Sequence, residues 1–110
     1  MKINGKEIKH NERLTFAQTQ YLEARYESLE YQINKKYDLD IYIERSRLSE
    51  AAYFYFYTDN EEVLHEFSIR NHDHVESNFC YDIWISDYRN WNELKKAIFN
   101  KIELIKTEGI

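Results

Sequence analysis

The sequence predicts an α+β fold: an antiparallel four-stranded meander flanked by a long N-terminal helix and a C-terminal helix, with a small β-hairpin ahead of them. Three observations carry this reading. Two capping boxes, Thr15 with Gln18 and Asn90 with Glu93, each open a run whose apolar residues recur at three- and four-residue spacing. Between those runs lie four short segments dense in Tyr, Phe, Ile and Val, close enough together to favour antiparallel pairing. Asn4-Gly5 sits between two three-residue arms, and Asn-Gly is the strongest two-residue hairpin signal because both positions tolerate positive φ.

Taken in order, Met1-Lys2-Ile3 and Lys6-Glu7-Ile8 form the arms of that hairpin, which is too short to be stable without support from the rest of the chain. The first helix is expected from about Phe16 to Lys36 with two apolar stripes. One stripe is Leu14, Ala17, Tyr21, Ala24, Ser28 and Tyr31; the other is Leu22, Tyr26, Leu29 and Ile33. Two stripes imply burial on two sides, one on the sheet and the other on a second protomer; the alternative is that Tyr21, Tyr26 and Tyr31 lie flat on the surface. Strands are expected at Leu39–Ile43, Ala52–Tyr57, Val63–Ile69 and Phe79–Ile85, with Asp59-Asn60 as a turn. Alternation sends Phe54 and Phe56 toward the helices and Tyr53, Tyr55 and Tyr57 to the open face of the sheet. The last helix runs from the Asn90 cap to about Lys106, with Trp91, Leu94, Ile98, Ile102 and Ile105 on the face that packs on the sheet.

A chain of 110 residues without a linker or composition break is read as a single domain, residues 1–110. Its hydrophobic fraction of 43% is enough for a packed core. Ten Tyr, six Phe and two Trp exceed what so small an interior can hold, so some rings are expected at an interface. A net charge of −5 lacks the basic footprint of a direct nucleic-acid binder. Lys35, Lys36, Arg45 and Arg47 make a loose basic cluster all the same. One cysteine, Cys80, excludes an intramolecular disulfide, and no run approaches the roughly 20 apolar residues of a membrane-spanning helix. The expected compartment is a reducing cytoplasm.

The candidate chemistry concentrates at Ile69-Arg70-Asn71-His72-Asp73-His74, where a strand gives way to a loop. Arg70 suits a phosphate or carboxylate, Asn71 a base or ribose, and His72 and His74 an anion when protonated. A faint internal echo sets Tyr42-Ile43-Glu44-Arg45-Ser46 against Phe67-Ser68-Ile69-Arg70-Asn71, which puts Arg45 at the same end of the sheet as Arg70. Tyr55 and Trp84 supply rings able to stack on a base. His72-x-His74 with Cys80 or His65 resembles a fragment of a zinc site, but no spacing fixes four ligands, so neither metal nor cofactor is expected. Cys80 in an apolar strand behaves as a small hydrophobe rather than a nucleophile. No phosphate-binding glycine loop, Gly-x-Ser-x-Gly or His-Glu-x-x-His occurs.

The stretch from about Ile69 to His74, which carries Asn71 and Asp73 around His72, resembles a strand-Ile-Arg-[Ser/Asn]-x-His pattern of small phage-borne proteins that include the anti-Thoeris nucleotide sponges. The short, acidic, tyrosine-rich chain is also similar in style to anti-CRISPR proteins. The resemblance implies counter-defence as a theme and transfers no functional residue. The expected function is therefore a non-enzymatic, phage-type binding protein in the host cytoplasm, a homo-oligomer that sequesters an immune nucleotide signal or blocks an immune effector protein. The candidate ligand-binding residues are Arg70, Asn71, His72, His74, Arg45, Tyr55 and Trp84. The alternatives are a small metal-dependent enzyme or nuclease using His72, Asp73 and His74, and a structural homo-oligomer with an aromatic interface.

Overall fold

The computed structural model describes residues 1–37, 41–45, 52–57, 63–71 and 82–107. The chain runs through β1 (Lys2–Ile3), β2 (Lys6–Glu7), α1 (Phe16–Tyr37), β3 (Ile41–Arg45), β4 (Ala52–Tyr57), β5 (Val63–Arg70) and β6 (Asp82–Trp84). A 3₁₀ turn (Ile85–Asp87) then leads to α2 (Trp91–Thr107).

Asn4 and Gly5 take φ of 52° and 80°, so the pair closes the β1–β2 hairpin through two left-handed residues, as Asn-Gly permits. The hairpin is a separate two-stranded sheet, and Met1, Ile3 and Ile8 fix it by burying their side chains in the common core.

The N-terminus of α1 is a complete capping box. Gln18 N–H donates to Thr15 Oγ1 at 3.2 Å, and Thr15 N–H donates back to Gln18 Oε1 at 2.8 Å. Of the two stripes expected along α1, one is buried: Leu22, Tyr26, Leu29 and Ile33. Of the other, Leu14 is buried ahead of the helix and Tyr21 is half-buried against the core, while Ala17, Ala24, Ser28 and Tyr31 are exposed, so within one chain most of the second stripe faces solvent. In α2, Leu94, Ile98, Ile102 and Ile105 form the buried face, with Trp91 partly buried against the same core. The two helices lie side by side and run in the same direction: Tyr26 meets Trp91 at 6.0 Å and Tyr37 meets Phe99 at 6.1 Å between ring centroids.

The main sheet has the order β3-β4-β5-β6. The pairs β3–β4 and β4–β5 are antiparallel, with a register shift between Phe56 and Tyr57. The expected all-antiparallel meander is corrected at β6, which pairs with β5 in parallel, Ser68, Ile69 and Arg70 standing opposite Asp82, Ile83 and Trp84. Alternation has the same two-residue period whichever way a strand runs, so the pattern that located β6 carried no information about its direction. A parallel neighbour needs a connection longer than a hairpin loop, and eleven residues, 71–81, separate β5 from β6 in sequence. Of the expected strand Phe79–Ile85, Asp82–Trp84 is strand, Ile85 opens the 3₁₀ turn, and residues 79–81 lie outside the described residues. So do Leu39, the Asp59-Asn60 turn and the side chains of Phe54, Phe56 and the tyrosines of β4.

The outer edge of β3 is covered by α1 rather than by another strand. Ile41 N–H donates to Asn34 Oδ1 at 2.8 Å, Asn34 Nδ2 donates to Ile41 O at 3.1 Å, and Ile43 N–H donates to Glu30 Oε2 at 3.1 Å. Glu30 and Asn34 are one helical turn apart and therefore meet alternate residues of the strand. Side chains thus satisfy an edge that would otherwise recruit a foreign strand. Ile41 and Ile43 are buried beneath this seam, in the same cluster as Ile69, Ile83 and the apolar faces of both helices.

Candidate functional site

The register of the sheet collects part of the predicted site at one end. Arg70 is opposite Trp84 on β6, and Arg45 pairs with Ala52, which in turn pairs with Ile69 next to Arg70. Arg45, Arg70, Asn71 and Trp84 therefore belong to the same end of the sheet, although the side chain of Arg45 lies outside the described residues. Tyr55 sits apart from them, in register with Tyr42 and Glu66. His72 and His74 lie outside the described residues, as do Cys80 and the side chain of His65. Among the described residues no group of three His, Cys, Asp or Glu side chains could hold a metal ion.

The protein's own N-terminal segment occupies this end of the sheet. Asn71 is 1% exposed, and its Nδ2 donates to both Lys9 O and Glu12 O at 2.8 Å. Its Oδ1 accepts the N–H of Ser86 at 3.0 Å. Both amide hydrogens are thus committed, and one side chain ties the turn at residues 9–12 to the 3₁₀ turn after β6. The turn itself is closed by Glu12 N–H on Lys9 O at 3.2 Å, with Asn11 in the left-handed region at φ 60°. Asparagine accepts that conformation more readily than most residues.

Arg70 is 2% exposed, and its Nε donates to Ser68 Oγ, itself buried, at 3.2 Å. A guanidinium this far from water is a packing element rather than a clamp for a solvent-borne anion. Trp84 is half-buried with its ring already stacked: His10 lies 4.4 Å away between centroids at 29°. The His10 Nδ1 is 3.4 Å from Ser86 Oγ. His10 and the loop around it were missed by sequence reasoning, since only the fold brings residues 9–12 to the end of β5. The one local sign was Asn11, a residue type that favours a left-handed turn.

Two further features emerge from tertiary packing. Tyr37 and Phe99 are bordered by lysines: Lys36 Nζ is 5.1 Å from the Tyr37 centroid and 5.0 Å from that of Phe99, and Lys106 Nζ is 4.7 Å from Tyr37. Lys95 Nζ approaches Phe99 at 6.0 Å. Burial, together with the neighbouring Glu103 carboxylate, pushes the Tyr37 hydroxyl pKa up to about 12. The second feature is exposed apolar surface. Phe16 is 78% exposed, Tyr31 68% and Tyr42 50%. Comparison with known proteins finds no matching family model, curated protein or solved structure.

Proposed function

We propose that the protein is a non-enzymatic binding protein of the counter-defence kind, which blocks a host immune protein by covering a basic, nucleic-acid-binding surface. The observation that carries this reading is Tyr42. It stands half exposed on β3 between Ile41 and Ile43, both buried, and is followed by the exposed Glu44. A tyrosine ring presented from a rigid strand beside a carboxylate offers an anchor with little rotamer freedom to lose and a charge complementary to a basic groove. The ladder continues this pattern in register, Tyr42 opposite Tyr55 and Tyr55 opposite Glu66. The net charge of −5 supports attraction to a basic partner. Phe16 and Tyr31 add exposed aromatic area on α1.

Nucleotide capture by the Arg70–Asn71 pair is the weaker form of the counter-defence reading, because both side chains are buried and engaged within the chain. The test is phage plating on bacteria that carry an RNA-guided nuclease, with the protein expressed in the same cells. Relief of immunity by the wild type and its loss in Tyr42→Lys is the expected result. The purified complex should also weaken steeply between low and physiological salt. Relief that Tyr42→Lys leaves intact would sink the Tyr42 surface, and no relief with no salt-sensitive complex would sink the function.

A further inference from the structure

We infer that the lysines around Tyr37 and Phe99 form a binding site for a compact polyphosphate, the di- or triphosphate group of a nucleotide or of a free oligophosphate. This site is separate from the Tyr42 surface and does not rest on the function proposed for it. The geometry starts from the two parallel helices, which bring the last turn of α1 against the middle and end of α2. Tyr37 and Phe99 form a tilted pair, 6.1 Å between centroids at 43°. Lys36 Nζ stands over both rings, Lys106 Nζ over Tyr37 and Lys95 Nζ over Phe99. Three ammonium groups from two helices are thereby gathered around a single aromatic pair.

In a chain of net charge −5, such a gathering of like charge is the exception. Part of it has a local cause. Lys36 and Lys106 lie in the last turns of α1 and α2, where a cation offsets the partial negative charge of the terminal carbonyls. Lys95 has no such cause, because it is the fifth residue of α2, far from the last turn. Its approach to Phe99 adds a third charge that repels the other two. An anion seated among them removes that repulsion and receives charge-assisted hydrogen bonds.

Each ammonium carries three donors, and lysine binds phosphate as a point charge without needing the planar fork of arginine. The rings keep the long side chains from dispersing into water, so less ordering is left for the ligand to impose. Three ammonium groups outweigh the single Glu103 carboxylate beside Tyr37, and attraction to the positive charge that is left grows with the charge of the ligand. This sets the class of ligand: several negative charges within the span of a few phosphoryl groups.

The experiment is a titration of the intact chain with sodium tripolyphosphate, followed by amide and lysine NMR shifts, at about 20 mM and about 200 mM salt. The inference expects saturable shifts at Lys36, Tyr37, Lys95, Phe99 and Lys106, with weaker binding at the higher salt. Lys36→Glu and Lys95→Glu should each lower the affinity by at least about tenfold, about 1.4 kcal/mol by the usual conversion, with far-UV circular dichroism unchanged. Lys96→Glu serves as the control for general charge: this exposed residue is displaced by about 100° around α2 from Lys95. ATP and adenosine make the remaining arms. ATP binding more tightly than tripolyphosphate identifies a nucleotide, and equal binding identifies the phosphoryl group alone; both support the site. Shifts scattered over the surface, an equal loss in Lys96→Glu, or adenosine binding where tripolyphosphate does not would each overturn it.

Discussion

Asn71 does at the scale of one residue what a short chain usually asks of a larger core. Its amide joins three backbone groups from the N-terminal segment and the 3₁₀ turn. Those groups lose their partners together in Asn71→Ala, which is expected to lower stability by roughly 2–3 kcal/mol in urea denaturation. Asn71→Asp is the sharper probe. A carboxylate still accepts from Ser86, but it confronts Lys9 O and Glu12 O with negative charge where they now receive donors. At neutral pH the near-isosteric Asp should therefore destabilise at least as much as Ala, with Trp84 fluorescence changing as His10 leaves its ring. An Asp variant as stable as the wild type would show that the N-terminal segment is held by its buried apolar side chains alone.

Among the elements, the β3 edge and the start of α2 show how helices serve this sheet. Asn34 mimics a neighbouring strand by giving and taking a hydrogen bond with Ile41. Asn34→Ala should cost about 1–2 kcal/mol of stability and should leave a bare edge that self-associates, read by light scattering against concentration. Unchanged stability and a monodisperse variant would mean that water replaces the amide. At α2, Asn90 Oδ1 accepts the N–H of Glu93 at 3.0 Å as the box requires. The return bond differs from the expected one: Glu93 Oε2 accepts from Arg89 N–H at 2.9 Å, while Oε1 takes the Arg89 guanidinium. Those Arg89 hydrogen bonds hold the Glu93 carboxyl below its usual range.

For the whole molecule, the tyrosines determine how the fold responds to alkali. Burial raises the hydroxyl pKa of Tyr26, Tyr37 and Tyr88 above the ordinary value of 10.0, Tyr37 to about 12 with help from Glu103. Above about pH 10 the folded chain therefore holds more protons than the unfolded one, and stability falls with rising pH. Below that pH both states are protonated at these sites and their contribution is flat. Thermal melts should show a plateau up to about pH 10 and a decline toward pH 12 that is shallower in Tyr37→Phe. A decline equally steep in that variant would assign the alkaline loss to Tyr26 and Tyr88. The parallel run of the two helices also brings Lys36 and Lys106, each in the last turn of its own helix, to the one Tyr37 ring.

Local signals alone determined the hairpin, both helix starts and the approximate places of the strands, β6 being shorter than expected among the described residues. Asn4-Gly5, Thr15 with Gln18, and the density of strand formers in Ala52–Tyr57 act between residues a few positions apart, where turn geometry and local preference leave few choices. The buried stripes Leu22–Ile33 and Leu94–Ile105 were legible for the same reason. Tertiary structure alone decided the direction of β6, which of the two α1 stripes is buried, and what lies at the end of β5. Arg70 and Asn71 looked like ligand-binding groups because their chemistry is polar. Asn71 is buried where residues 9–12, some sixty positions earlier, dock on it, and Arg70 is buried next to it in sequence. The gathering of Lys36, Lys95 and Lys106 around Tyr37 and Phe99 was equally hidden. Such meetings depend on how two helices and a sheet edge close over a common core, and no period or motif in the chain records which distant residues that closure brings together.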